Sequence, residues 1–352
     1  MRAGPPVPGD GITLQTKVAA NAQAMKRWLG KAEYAIGNHS DRLNAINIFP
    51  VADGDTGTNL YVTVRAAAQA LASADDAAGQ ADVGAVLATA GQAAMEEARG
   101  NSGTLFSVFL CAAAEPLAGH TRLTATLLAA ALNRAQIRAW SALSDPVPGT
   151  MLSVMEAAAR AAAAVESGHS GDDSNHALGL ALDAAVEGAL AAVVRTEEQL
   201  DALASAHVVD AGGVGMLLIL DCLRSAVMGE ELQNALLDGL HGYDVSDPHI
   251  HTAMPDDDGV EVMCTISLSP LNAATLRQRL DEIGESVIMS QLGGGPDAGG
   301  NYRWRVHVHV PDPEPVLGII RSLGEPSQLG ISELAVPRDP DKDTVDSLGH
   351  EY

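Results

Sequence analysis

Through the first 230 residues, apolar side chains recur at spacings of three and four in eight separate stretches, with alanine filling much of what lies between. Such a chain must pack helices on helices, because each stretch carries an apolar stripe that has to be covered. The spacing predicts helices over 13–38, 59–74, 82–98, 103–118, 122–140, 150–168, 174–198 and 212–228. Abundant alanine and an aromatic content of only 3% favour helices over sheets.

The connections are of two kinds. Those after the second, fourth and sixth helices (DDAAGQAD, AGHT and SGHSGDDSN) are ordinary solvated turns. Those after the first, third, fifth and seventh (LNAINIFPVADGDTGTN, RGNSG, SDPVPGT and HVVDAGG) are not. If consecutive helices run up and down, these four joints share one end, each feeding the N-terminus of an even-numbered helix. Four positive dipole ends with free N–H groups then converge, which makes an anion site. Taken singly, RGNSG or PVPGT reads as plain turn chemistry; the shared end shifts the balance.

Within the first joint, Asp53 and Asp55 flank a single glycine. An EF-hand loop is excluded, since its sixth-position glycine would be Thr58 and its twelfth-position acid Val64. An Asx-type cap by Asp55, Thr56 or Thr58 explains one acid, not both. Two carboxylates with an amide oxygen such as that of Asn47 suit magnesium, which also binds phosphate oxygens. No Walker A loop, kinase glycine loop or dinucleotide fingerprint is present, so a nucleotide site here needs another architecture.

At 352 residues the chain is expected to divide into domains: helical to about residue 240, a linker over 241–259, an α/β unit over 260–337 and a mobile acidic tail over 338–352. In the third part the period switches, giving the order β-α-β-β-α-β of a split-βαβ, ferredoxin-like fold. A net charge of −24, from 45 acidic and 21 basic residues, makes nucleic acid an unsuitable partner. The opening MRAGPPVPGDGITLQ has no signal or transit character, and even AGGVGMLLILDCLRSAVMG is interrupted by Asp221 and Arg224, so a soluble cytoplasmic protein without membrane-spanning segments is expected. Cys111, Cys222 and Cys264 are too scattered for a disulfide scaffold. His307 and His309 are two apart on one strand, and Cys264 lies on a strand expected beside it; a thiolate with two imidazoles suits zinc, whereas a buried cysteine and a polar strand face explain the pattern without metal.

DGDTGTN, RGNSGT, PVPGTMLSV and VVDAGGVGMLLIL, in that order, resemble the nucleotide-binding domain of the dihydroxyacetone kinase L-subunit type, and NIFPVADGDTGTN with RGNSG is most similar to the catalytic subunit of bacterial fatty acid kinase. The resemblance spans 13 to about 230 and extends to the later domain. It implies an all-α, eight-helix antiparallel barrel holding ATP with two magnesium ions at one end, followed by the α/β domain. By the match Asn47, Asp53 and Asp55 would be metal ligands, Thr56, Thr58 and Asn59 would lie beside the phosphates, and Gly100, Asn101, Ser102 and Gly103 would cradle them. Thr150, Met151, Asp210, Gly212 and Gly213 would border ribose and base, and Arg99 would stabilise the transition state or serve only as a helix-end cation. The middle domain of the resembled protein carries a Cys and an HxH at a zinc site, matched by Cys264, His307 and His309. Pro148 stands where PVEGT has an acid.

The expected activity is phosphorylation of a fatty acid carboxylate presented by a separate carrier protein, and a homodimer is compatible with it. The enzyme alternative is a dihydroxyacetone-type kinase subunit, which normally lacks the α/β domain. The non-enzyme alternative is a nucleotide-binding regulator or scaffold, favoured by one departure: the resembled catalytic subunits usually continue into a further domain, and this chain ends at Tyr352.

Overall fold

The computed structural model describes residues 20–72, 82–169, 171–243, 259–292 and 295–334. Eight long helices form the first domain: α1 (Ala22–Ala45), α2 (Thr56–Ala72), α3 (Val83–Glu97), α4 (Gly100–Ala114), α5 (Ala125–Ala142), α6 (Met151–Gly168), α7 (Asn175–Gln199) and α9 (Ala211–Met228). Each packs on the next, α7 packs on α9, and α9 returns to α1, which closes the ring. The antiparallel barrel expected from the joints is therefore the fold. A short helix, α8 (Asp201–Ala206), lies inside the seventh joint, where none was expected. Local caps begin several helices as sequence reasoning requires: the side chains of Asn21, Thr124 and Ser174 accept from Ala24, Leu127 and Ala177 N–H groups.

Two helix starts differ from the expected ones, and the cause is tertiary. Helix α2 begins at Thr56 rather than residue 59 because Asn44, at the end of α1, accepts from the N–H groups of Gly57 (2.8 Å) and Thr58 (3.1 Å). Helix α4 begins at Gly100 rather than residue 103, and its N-cap residue Arg99 makes no side-chain cap bond. The Gly100 N–H instead donates to Glu261 of the second domain at 3.0 Å. The first predicted helix also runs later, to Ala45; its stretch 13–19 falls outside the described residues, as do most of the expected linker and all of the expected tail.

Helices α7 and α9 are each long and apolar enough to cross a membrane, which corrects the sequence expectation that no segment is. Both are walls of the barrel, and 94% of the apolar window of α9 is buried inside the protein. The charges that interrupt α9 are paired: Arg224 lies 2.7 Å from Asp183 and 2.6 Å from Glu230, and Asp221 accepts from the Gln233 N–H. An uncompensated buried charge at either position would be costly, so the network allows α9 to be buried all round.

The second domain runs β1 (Val260–Leu268), α10 (Pro270–Asp281), β2 (Glu285–Gln291), β3 (Tyr302–Val310), α11 (Pro313–Leu323) and β4 (Pro326–Glu333). Its sheet has the order β2-β3-β1-β4 with every pair antiparallel, the split-βαβ arrangement. One face, with Val262, Cys264, Ile266, Val306 and Val308, packs under α10 and α11. The other face turns to the barrel, where Ile288 joins the barrel core. Arg277 of α10 donates to the Ala142 and Ser141 carbonyls (2.9 and 3.3 Å), a cation at the C-terminal end of α5 that suits both its free carbonyls and its dipole.

Candidate active site

All four odd joints meet at one rim. They line a cavity of about 760 Å³, to which Phe49 and Pro50 come from the first joint, Asn101 and Ser102 from the second, Asp145 and Thr150 from the third, and Asp210 and Gly212 from the fourth. The second domain supplies the remaining wall through residues 284–287. A smaller polar cavity adjoins it, sharing Pro50, Thr56, Asn101 and Ser102, and contains Asp53, Asp55, Glu261 and His309. The hydroxyl of Ser102 donates to the Thr56 carbonyl at 3.4 Å, tying the first turns of α4 and α2 together.

The acid pair is held, not merely adjacent. Asn47, nearly fully buried, donates to Asp53 Oδ1 at 2.5 Å and to the Val51 carbonyl at 3.3 Å, while its own oxygen accepts from the Thr56 hydroxyl. Asn47 therefore braces the loop with both ends of its amide, which leaves Asp53 and Asp55 as the oxygen donors facing the cavity. Burial, and next the charge of Asp55, push the Asp53 carboxyl up to about 8; burial also raises that of Asp55, and the Glu261 charge adds to it. Because Asn44 meets the α2 N–H groups, neither acid is used up as that helix's cap. Two crowded carboxyls that resist ionisation without a cation fit a divalent metal that would replace their protons.

On the barrel-facing side of the sheet, Glu261 lies opposite His309 and Met263 opposite His307. Ligand atoms of Glu261, His307 and His309 fall within 4.8 Å of one another, with His307 Nδ1 3.0 Å from Glu261 Oε1. His307 is fully buried, and its Nε2 and the Nδ1 of His309 have no hydrogen-bond partner. Burial and the neighbouring His307 lower the His309 pKa to about 3, so its imidazole is neutral, the form that binds metal. Orphaned buried imidazole nitrogens beside a carboxylate fit zinc, as a two-His-one-Glu set with room for a further ligand. Cys264 is not part of it. Its partner across the ladder is Val306, which sets it on the opposite face in the core under the helices, where burial raises its thiol to about 11. Cys264→Ala is accordingly expected to retain bound zinc at a stability loss of about 1 kcal/mol, whereas His309→Ala loses the metal, as read by elemental analysis of protein purified without chelators.

Residues 50–225 match the profile of the DAK2 domain, and 259–338 match that of the FakA-like middle domain of fatty acid kinase. This chain belongs to the DAK2 domain family. Protein YloV of Bacillus subtilis is 27% identical over 92% of this chain and 55% of its own length, and an uncharacterized Staphylococcus aureus protein is 24% identical over 85% and 53%. The chain thus spans just over half the length of these relatives. The dihydroxyacetone kinase of C. freundii overlaps 64% of this chain and 38% of its own, at 17% identity and a TM-score of 0.38.

Within the DAK2 domain, Thr56, Asn101, Ser102, Thr150, Met151, Asp210 and Gly212 all line the larger cavity. Asp210 caps α9 through Gly213 N–H at 2.6 Å, and burial raises its carboxyl to about 7 against the pull of the Gly213 and Met151 backbone bonds. Other expected residues have different work. Thr58 is exposed and bonded to Asn44; buried Asn59 bonds Asp55 rather than standing free for a phosphate. Gly103 is a packing residue, since a Cβ there would sit 2.4 Å from Thr63 Oγ1. Gly213 touches Val154 and lines neither cavity. Gly100 has φ +59, and its N–H is engaged by Glu261, not open. Exposed Arg99 and Pro148 line neither cavity, so the position of Arg99 lends no support to a transition-state role.

Two residues of the DAK2 rim escaped sequence reasoning, and both come from the second domain. Ser286, in the left-handed region at φ +52, accepts from Asn101 Nδ2 at 3.2 Å, and Glu261 reaches the α4 N-terminus. The only signal for Glu261 was its alternation parity, which becomes informative once the β1–β3 register is known.

Proposed function

We propose that this chain is an ATP- and magnesium-dependent kinase subunit that transfers the terminal phosphoryl group to the carboxylate of a fatty acid presented by a separate carrier protein. The observation that carries this reading is the convergence of all four odd joints on one cavity with the acid pair at its edge. A volume of about 760 Å³ lies in the range of small-molecule sites and suits a nucleotide. Gly212 and Met151 offer a close, apolar wall for the base, with Thr150 and Asp210 as polar groups beside it. Asn101, Ser102 and Thr56, at two helix N-termini, face the position proposed for the phosphates.

Asp53 and Asp55 would hold two magnesium ions, which neutralise charge on the transferring phosphoryl group. Asn47 and Asn59 orient that pair through the bonds described above. A fatty carboxylate, with a pKa near about 4.3 as for glutamate, is ionised at neutral pH and needs no general base. Glu261, His307 and His309 would hold zinc at the same rim. The proposed setting is the cytoplasm, where ATP and magnesium are supplied. The middle-domain match to fatty acid kinase supports the acyl acceptor over dihydroxyacetone.

ADP release measured with and without a lipid-loaded carrier tests the proposal. Release that requires the carrier is expected. Release that instead requires dihydroxyacetone and its own binding subunit would move the assignment to that kinase, and tight ATP binding with neither would make the protein a nucleotide sensor.

A further inference from the structure

One carboxylate joins the two halves of the rim. Glu261 Oε1 lies 3.0 Å from the Gly100 nitrogen, whose N–H it accepts, and 3.0 Å from His307 Nδ1. It therefore occupies the first N–H of α4, a position suited to an anion, while belonging to the His-Glu cluster on the sheet. It also shares the smaller cavity with Asp53 and Asp55. Three carboxyls thus crowd a space proposed to receive a polyphosphate, and the third is also offered to two buried imidazoles with unpartnered nitrogens.

We infer that Glu261 is a positioning residue through which metal occupancy of the Glu261–His307–His309 cluster controls nucleotide affinity at the helical rim. The inference rests on the kinase reading above. Without metal, the Glu261 carboxylate holds the Gly100 N–H and repels phosphate oxygens. With a divalent ion on the cluster, its charge is neutralised and the carboxylate is drawn toward the imidazoles, so the α4 N-terminus is free to meet an anion. The two ligands then favour each other, and linkage makes the effect reciprocal: nucleotide tightens the metal by the same factor. Asn101 reinforces the connection, because its amide already bonds Ser286 of the second domain beside the same turn.

The test is calorimetric titration of the full chain with a non-hydrolysable ATP analogue and excess magnesium, in zinc-loaded and chelator-stripped forms, with zinc content checked by mass spectrometry. Zinc-loaded wild type is expected to bind the analogue roughly 10-fold more tightly than the stripped form, within the usual range of coupling between sites. Glu261→Gln removes the charge but keeps the shape. Its stripped form should bind the analogue as tightly as zinc-loaded wild type, and its zinc affinity should fall. His309→Ala, which loses a ligand but keeps the Glu261 carboxylate, should bind the analogue as weakly as stripped wild type whether or not zinc is added. Equal analogue affinity in loaded and stripped wild type would overturn the inference and leave the kinase reading intact. Failure of every form to bind the analogue would overturn both.

Discussion

Replacing Asp53 and Asp55 together by asparagine is expected to reduce magnesium-dependent nucleotide turnover by about 10³-fold or more, while raising the melting temperature of the magnesium-free protein. Both effects have one origin. The acids are crowded and partly buried, which raises both pKa values, Asp53 to about 8. Unfolded, an aspartate ionises near 3.8, so between about pH 4 and pH 8 the folded state binds more protons than the unfolded one. Stability is then greatest below the unfolded value and declines as pH rises through the folded value. Asparagine cannot ionise and escapes that decline. The gain should be on the order of 1–2 kcal/mol near pH 8, after discounting for solvent reaching the loop, and smaller near pH 5. Calorimetry at the two pH values reads it. Saturating magnesium and nucleotide should reverse the ranking, since only the wild type is stabilised by binding. A double variant that kept magnesium-dependent turnover would remove the acid pair from the mechanism.

Gly57→Ala should cause the largest loss of stability of any single methyl addition near the rim. A Cβ there would lie 2.2 Å from the Ser40 carbonyl oxygen and 2.9 Å from both Asn44 Oδ1 and Leu43 Cβ. A backbone carbonyl cannot rotate aside, so α1 and α2 must separate. Overpacking of this kind costs roughly 1–3 kcal/mol, and displacing the Asn44 bonds to Gly57 and Thr58 adds about 1 kcal/mol each. The damage extends to function, because Thr56 and the acid pair are carried on that turn. Gly30→Ala on exposed α1 surface meets nothing within 4 Å and should stabilise by about 0.5–1 kcal/mol. Thermal unfolding of the two variants, with nucleotide affinity for Gly57→Ala, separates close approach from helix propensity; an unchanged melting temperature for Gly57→Ala would refute the packing account.

Much of the fold was legible because helix periodicity, caps and the switch to alternation are written within a few residues of each element. The common end of the odd joints was legible for a related reason: alternating connections place 46–55 and 98–100 at one end whatever the details of packing. Errors began where one element depends on another distant in the chain. The start of α2 was misjudged because its cap is Asn44, and the start of α4 because its first N–H is met by a residue 161 positions away. Thr58 and Gly103 carry motif letters suited to phosphate, yet one is tied to Asn44 and the other packs on Thr63.

The sequence by itself determined the eight long helices, the common end of their odd joints, the closely spaced acids and the order of the second domain, all of which follow from propensity, spacing and chain connectivity. Only the tertiary structure decided that Cys264 faces away from His307 and His309 and that Glu261 replaces it. In an antiparallel ladder a slip of one residue exchanges the two faces, and nothing local to either strand sets that slip. Tertiary packing likewise brought the sheet onto the rim, since contacts between surfaces far apart in the chain, rather than the preferences of any one segment, hold Ser286 and Glu261 against α4.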